Sequence, residues 1–266
     1  MNRIVERFRL LKKEKRKAFI PYITAGDPNI GRTYDAIKLF AEGGADIIEV
    51  GVPFSDPMAD GPVIQRAMER ALRSGTTLKD VLEVVRKFRL AYDIPVVIMG
   101  YYNPFFQYGL ERFGKDAKDA GVDGVLTVDL PPEEAVPMKR ALNKNGMVPV
   151  FLATPVTDRV RIKVIKKVAE GFIYFVSVTG VTGEREGLPE EIKEKIKHIR
   201  TAIGLPTVLG FGISGPEMIE RFYDYVDGFV VGSALVKRWE KACLSEEGAS
   251  EFRTFFIDMA KACHGE

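Results

Sequence analysis

Along this chain, apolar runs of strand length alternate with longer segments in which apolar residues recur every three or four positions. Eight runs read as strands: residues 18–23, 47–50, 95–99, 124–128, 148–152, 172–178, 207–210 and 228–231. Between them the helical period predicts helices over 32–42, 78–89, 113–120, 133–145, 158–169, 190–202, 217–223 and 234–241. Strands regularly separated by one crossover helix imply parallel pairing, with both faces of each strand covered. The departures from regularity are an extra helical segment over 63–72, a long connection after the sixth strand, and flanking helices around 4–11 and 251–262.

A closed eight-stranded barrel and an open doubly wound sheet both use this alternation. Eight units in about 250 residues is the usual size of the barrel, and no stretch reads as an interdomain linker. A nucleotide-binding sheet would carry a glycine-rich fingerprint after its first strand, whereas Thr24-Ala25-Gly26-Asp27-Pro28 has a single glycine there. The expected architecture is therefore α/β: a single-domain (β/α)8 TIM barrel over residues 1–266, with extra N-terminal and C-terminal helices.

Composition changes this picture little. At 266 residues, 46% hydrophobic and 29% charged, the chain can bury one large core, and a net charge of +2 selects no partner. The basic N-terminal stretch carries Ile4, Val5, Phe8 and Leu11 at helical spacing with no uninterrupted apolar run after it. It reads as an amphipathic helix, not as a targeting segment or a nucleic-acid-binding arm. No segment approaches the roughly 18 consecutive apolar residues of a membrane span, so a soluble protein is expected. Cys243 and Cys263 lack the spacing of a zinc site or a disulfide framework and suit a reducing cytoplasm.

In a barrel, chemistry sits at the C-terminal ends of the strands. Glu49, Tyr101, Asn103, Asp129, Tyr174, Ser177 and Thr179 fall there. A polar residue at such a place can equally cap a helix, and Asp129, just before Pro131-Pro132, carries either reading. The glycines of Gly180-Val181-Thr182-Gly183, Gly210-Phe211-Gly212-Ile213-Ser214 and Gly232-Ser233 follow the last three strands. Any one such loop needs glycine only to turn. Three in succession offer backbone N–H groups and helix N-termini to an anion, which points to a phosphorylated small molecule.

Elimination narrows the catalytic options. The two histidines, His198 and His264, lie late in a helix and in the tail, and no lysine ends a predicted strand. That argues against a histidine triad and against Schiff-base chemistry. Two carboxylates remain: Glu49, on a strand and expected to be desolvated, and Asp60, on the following loop and expected to be more solvated and ionised.

The stretch Glu49-Val50-Gly51-Val52-Pro53-Phe54-Ser55-Asp56-Pro57-Met58-Ala59-Asp60-Gly61-Pro62-Val63-Ile64-Gln65 resembles the signature of the tryptophan synthase alpha chain family. Phe19-Ile20-Pro21-Tyr22-Ile23-Thr24-Ala25-Gly26-Asp27-Pro28, Asp129-Leu130-Pro131 and the three glycine loops extend the resemblance through nearly the whole chain. It implies retro-aldol cleavage of indole-3-glycerol phosphate to indole and glyceraldehyde 3-phosphate, in the biosynthesis of tryptophan, with no cofactor in this chain. By this resemblance Glu49 is the general acid and base, and Asp60 holds the indole N–H. Tyr22, Met99, Tyr101, Leu126, Tyr174 and Phe211 surround the ring, while Gly183, Gly212, Gly232 and Ser233 hold the phosphate. Thr182 contacts the aspartate when a mobile loop closes. Tyr22, Met58 and Val63 stand where the family more usually has Phe, Leu and Thr.

The resemblance also implies a partner, a pyridoxal-phosphate-dependent beta chain in an alpha2beta2 assembly. The loop bounded by Pro53 and Gly61, the segment Asn103-Pro104-Phe105-Phe106 and the turn Pro131-Pro132 are the contact surfaces expected. A stand-alone indole-releasing lyase, another phosphate-binding barrel isomerase and a non-catalytic regulatory subunit are the other readings open at this point.

Overall fold

The computed structural model describes residues 1–176, 188–210 and 212–266, with the side chains of Leu188 and Pro189 left out. The elements run α1 (Arg3–Glu14), β1 (Ala18–Thr24), α2 (Ile30–Glu42), β2 (Ile48–Gly51), α3 (Pro62–Arg73), α4 (Leu78–Arg89), β3 (Val96–Gly100), α5 (Tyr102–Tyr108), α6 (Leu110–Ala120) and β4 (Gly124–Thr127). They continue α7 (Val136–Lys144), β5 (Val148–Ala153), α8 (Arg159–Val168), β6 (Ile173–Val176), α9 (Leu188–Ile203), β7 (Thr207–Gly210), α10 (Pro216–Phe222), β8 (Gly228–Val231), α11 (Ser233–Ala242) and α12 (Glu246–His264). The eight strands are parallel and close in chain order, β8 pairing with β1 through Ala18 and Gly228.

Because side chains alternate across a strand, each apolar run serves two cores. Phe19, Ile23, Ile48, Val50, Val96, Ile98, Phe151 and Phe175 face outward into one continuous layer beneath the helices. Ala18, Ile20, Tyr22, Ile47, Val97, Leu126, Val150, Tyr174, Val208 and Val230 fill the interior. The interior cluster also takes in Ile4, Phe8 and Leu11, so α1 closes the end of the barrel where the strands begin. Gly124 makes room for it: a Cβ there would lie 2.7 Å from Ile4 Cδ1.

Three aspartates stitch that end. Asp46, Asp123 and Asp227 each stand just before a strand and accept the N–H at the start of the neighbouring one: Phe19 at 2.7 Å, Val96 at 2.9 Å and Thr207 at 2.9 Å. Arginines meet each carboxylate. Arg7 reaches Asp46, Arg200 reaches Asp227, and Arg3 and Arg89 both reach Asp123 at 3.0 Å. Replacing buried Asp123 with Ala leaves the Val96 N–H without an acceptor and deprives Arg3 and half-buried Arg89 of this carboxylate, Arg89 keeping hydrogen bonds only to backbone carbonyls. Urea unfolding should show Asp123→Ala destabilised by roughly 3–5 kcal/mol.

One helix escapes the sequence pattern. Tyr102–Tyr108 forms α5, with Tyr101 at its N-cap making no side-chain cap bond, and Gly109 at φ +88° breaks it from α6. Seven aromatic-rich residues hold no full amphipathic period to read.

Candidate active site

The parity of β2 settles where Glu49 points. Ile48 and Val50 belong to the outer layer and Ile47 to the interior, so Glu49 shares the inward face with Ile47. It is paired across the sheet with Tyr22 on one side and Val97 on the other. The carboxyl is 1% exposed, and its Oε2 has no hydrogen-bond partner. Burial, and secondarily the negative charge of Asp60, pushes its pKa up to about 8. A buried polar atom left unpaired costs free energy. Glu49 is thus a neutral acid at pH 7 whose buried Oε2 has no hydrogen-bond partner.

Asp60 is held from several sides. Tyr101, at the end of β3, donates its hydroxyl to Asp60 Oδ2 at 2.7 Å and accepts the Ala59 N–H at 3.0 Å. Phe54 stacks on the Tyr101 ring with centroids 5.0 Å apart. Gln65, in the first turn of α3, donates to the Asp60 carbonyl at 2.8 Å. Further along α3, Arg70 grips buried Asp27 at 2.7 and 2.9 Å, fixing the helix to the end of β1. Asp60 is half-buried and so more solvated than Glu49, as its loop position leads one to expect. Burial raises its pKa, and the Tyr101 hydrogen bond opposes that rise.

The remaining interior residues converge on the same end. Met99 pairs with Leu126 and Tyr174 with Leu152, which lines up Tyr22, Glu49, Met99, Leu126 and Tyr174 around the interior near the strand ends. Tyr22 and Tyr174 are buried, and burial together with the nearby carboxylates raises both phenols, so both stay protonated. The Tyr22 hydroxyl shares a 3.1 Å hydrogen bond with Thr24 Oγ1.

Two glycines make room for these rings. A Cβ at Gly51 would sit 2.2 Å from the Tyr22 hydroxyl oxygen, and one at Gly210 would sit 2.0 Å from the Tyr174 ring. Such overlaps force a ring to move, because neither strand backbone can yield. Gly51→Ala should therefore cost about 1–3 kcal/mol of stability. It should also impair substrate turnover by displacing Tyr22 beside Glu49, as thermal unfolding and steady-state kinetics would report.

The glycine-rich loops follow β7 and β8, the latter pairing with β1, and a Cβ at Gly232 would lie 3.8 Å from the Tyr22 ring. Gly212 is exposed at φ +78° with open space where a Cβ would be, a backbone conformation that side chains rarely adopt. Gly232 is the N-cap of α11 without a side-chain cap bond, and exposed Ser233 begins that helix. Uncapped N–H groups of a ten-residue helix are well suited to a phosphate. Phe211, Thr182, Gly183 and the loop from 177 to 187 lie outside the described residues.

The surfaces expected to meet a partner are split by the structure. Met58 and Phe106 stand 85% and 57% exposed. Phe105, by contrast, is fully buried against Phe113 at 4.6 Å, and Pro53 and Pro132 are buried too. The Phe105-Phe106 pair is therefore not one surface patch: α5 is helical, and adjacent helical residues face different ways. Asp129 accepts the Tyr102 N–H at 2.7 Å, which is the capping role.

Sequence reading did not foresee the support around Asp60. Tyr101 was expected at the ring, Gln65 had no role, and Gly51 was only part of a motif. Among the described residues no group of three metal-binding side chains forms, and no helix is long and apolar enough to cross a membrane.

Comparison with known proteins places this geometry. The family profile described as tryptophan synthase alpha chain matches residues 8–264. A tryptophan synthase alpha chain from Geobacter sulfurreducens is 50% identical over 262 residues, 98% of this chain and 99% of that protein. The crystal structure of tryptophan synthase subunit alpha from Legionella pneumophila superposes with a TM-score of 0.92 at 39% identity, covering 99% of this chain and 98% of that one. A tryptophan synthase structure from M. tuberculosis, in an open form with BRD0059 bound, gives 0.88 at 31% identity, covering 99% of both chains.

Proposed function

This chain belongs to the tryptophan synthase alpha chain family, and from that premise we propose that Glu49 and Asp60 divide the chemistry of its reaction between them. The reaction is the family's: retro-aldol cleavage of indole-3-glycerol phosphate to indole and glyceraldehyde 3-phosphate. The chain is a lyase of tryptophan biosynthesis that carries no cofactor of its own, pyridoxal phosphate belonging to the beta chain with which it assembles.

Glu49, neutral up to about pH 8, gives its proton to the indole carbon that bears the side chain. The ring becomes a cation, and the carboxylate of Asp60 stabilises that charge through the indole N–H. The Glu49 anion then takes the proton of the side-chain hydroxyl. The carbon–carbon bond breaks, its electron pair restores the aromatic ring, and the hydroxyl carbon becomes the aldehyde. The proton Glu49 gives to the ring is replaced by the one it takes from the hydroxyl, so it ends protonated as it began and no external acid or oxidant is consumed.

Tyr22, Met99, Leu126 and Tyr174 enclose the ring, with Tyr101 serving both the ring and Asp60. Phe211 is assigned to the ring as well, and Thr182 to loop closure. The phosphate is assigned to Gly183, Gly212, Gly232 and Ser233, at the same end of the barrel as the carboxylates. The whole chain works as one barrel domain in the cytoplasm. Exposed Met58 and Phe106, beside the Asp60 loop, face the beta chain and bring the docking surface next to the catalytic one.

The observation that carries this reading is the buried, unpaired Glu49 carboxyl beside Asp60. The test is indole release from indole-3-glycerol phosphate by the isolated protein, with and without a beta chain. Release strengthened by the partner supports the reading, release indifferent to it favours a stand-alone lyase, and no release even with the partner sinks it.

A further inference from the structure

At the end of the barrel opposite the carboxylates, the turn after α1, the connection from α9 to β7 and the turn before β8 enclose a half-open cleft of about 530 Å³. That falls within the roughly 300–1,000 Å³ of small-molecule sites. Its apolar floor is made by Leu11, Leu205 and Tyr223, among others, and its walls are basic. We propose that this cleft binds a small organic phosphate with an apolar or aromatic body, at a site separate from the catalytic one.

The charge balance favours an anion. Of the two carboxylates in the lining, Asp227 is already taken by Arg200 and the Thr207 N–H. Arg16 reaches Glu14 at 3.4 Å. That leaves Asp224 against Lys12, Lys15 and Lys17.

Helix dipoles account for part of this charge, since Lys12 is in the last turn of α1 and Arg200 in that of α9. Lys15, the C-cap of α1, shares that dipole, but half-buried Lys17 lies beyond it. Lys15 is the one described non-glycine residue with positive φ, at +59°, the C-cap position where glycine is cheaper. Here the chain keeps a long cationic side chain that lines the cleft. Lys17 is half-buried, with its Nζ 5.1 Å from the centroid of the Tyr223 ring, and burial lowers its pKa. An anion seated beside it would offset the cost of that buried charge. The aromatic ring and the apolar floor suit the body of the ligand.

The test is calorimetric titration of the full chain with phenyl phosphate, in excess glycerol 3-phosphate to keep the catalytic phosphate site filled. Lys15→Gly removes the side chain and relaxes the backbone, so it leaves the fold intact, and it lies far from the carboxylates. One phenyl phosphate per chain is expected, bound at least tenfold more weakly by Lys15→Gly and by Lys17→Gln, with indole release unchanged in Lys15→Gly. Inorganic phosphate should bind at least tenfold more weakly than phenyl phosphate. Absence of binding, indifference to both substitutions, or equal binding of inorganic phosphate would overturn the proposal, the last outcome showing a diffuse cationic surface only.

Discussion

Glu49→Gln is expected to lower indole release by about 10²–10⁴-fold, the range general acid–base catalysis supplies, while leaving the fold intact and gaining stability relative to the native protein as pH rises. Both effects come from the same burial. Gln fills the same space but has no proton to give to the ring carbon, so the loss appears in kcat. The carboxyl of Glu49 has a folded pKa of about 8 against an ordinary value of 4.5. Between those values the folded chain keeps a proton that the unfolded chain has released, so stability is full below the lower value and declines as pH climbs towards the upper one. The Gln variant escapes that decline. Urea unfolding at about pH 5 and about pH 9 should show the variant gaining on the native protein at the higher pH. A native enzyme that needs the neutral acid should also lose kcat/KM above about pH 8. Equal stability trends in the two proteins would mean that Glu49 is charged throughout, and the proton-donor role would fall.

Much of this site was legible before any coordinates. A carboxylate interrupting an apolar run stands out, and eight runs with one crossover each leave few architectures open. What the run conceals is parity. With apolar residues on both faces of β2, nothing local distinguishes inward Ile47 from outward Ile48, and only closure of the barrel makes Glu49 an interior group. The support of Asp60 was hidden for a similar reason. Tyr101 lies 41 residues away and arrives only because Gly51 on β2 pairs with Met99 on β3, so the residues that follow emerge side by side. Gly51 and Gly210 look like turn residues in a sequence, yet their work is steric, giving space to tyrosines on neighbouring strands. The aspartates at the opposite end were invisible as a set, since each serves the strand beside it in space.

The dependence of one carboxylate on the other leads to the second large effect. Asp60→Asn should reduce kcat by about 10²–10³-fold, the loss typical when one preorganised electrostatic partner is removed. KM should change little, because the ring carries its positive charge only after protonation and the interaction lost is one made mainly in the transition state. A purely structural role for Asp60 would predict something else: a loosened loop, raised KM and lowered stability. The pH profile separates the two further. The charge of Asp60 is the second cause of the elevated Glu49 pKa, after burial. Without that charge Glu49 ionises more easily, so the alkaline limb of kcat/KM should move to lower pH in Asp60→Asn. Tyr101→Phe should act in the opposite direction on Asp60 itself. The Tyr101 hydrogen bond holds the Asp60 pKa down against burial, so its loss leaves Asp60 protonated to higher pH. The ionised form needed to stabilise the ring cation then becomes scarcer in mildly acidic solution. Activity of Tyr101→Phe should fall most on the acid side of the profile, whereas that of Asp60→Asn should fall at every pH. Matching profiles for the two variants would show that Tyr101 does not set the charge of Asp60 and that the 2.7 Å contact between them is positional alone.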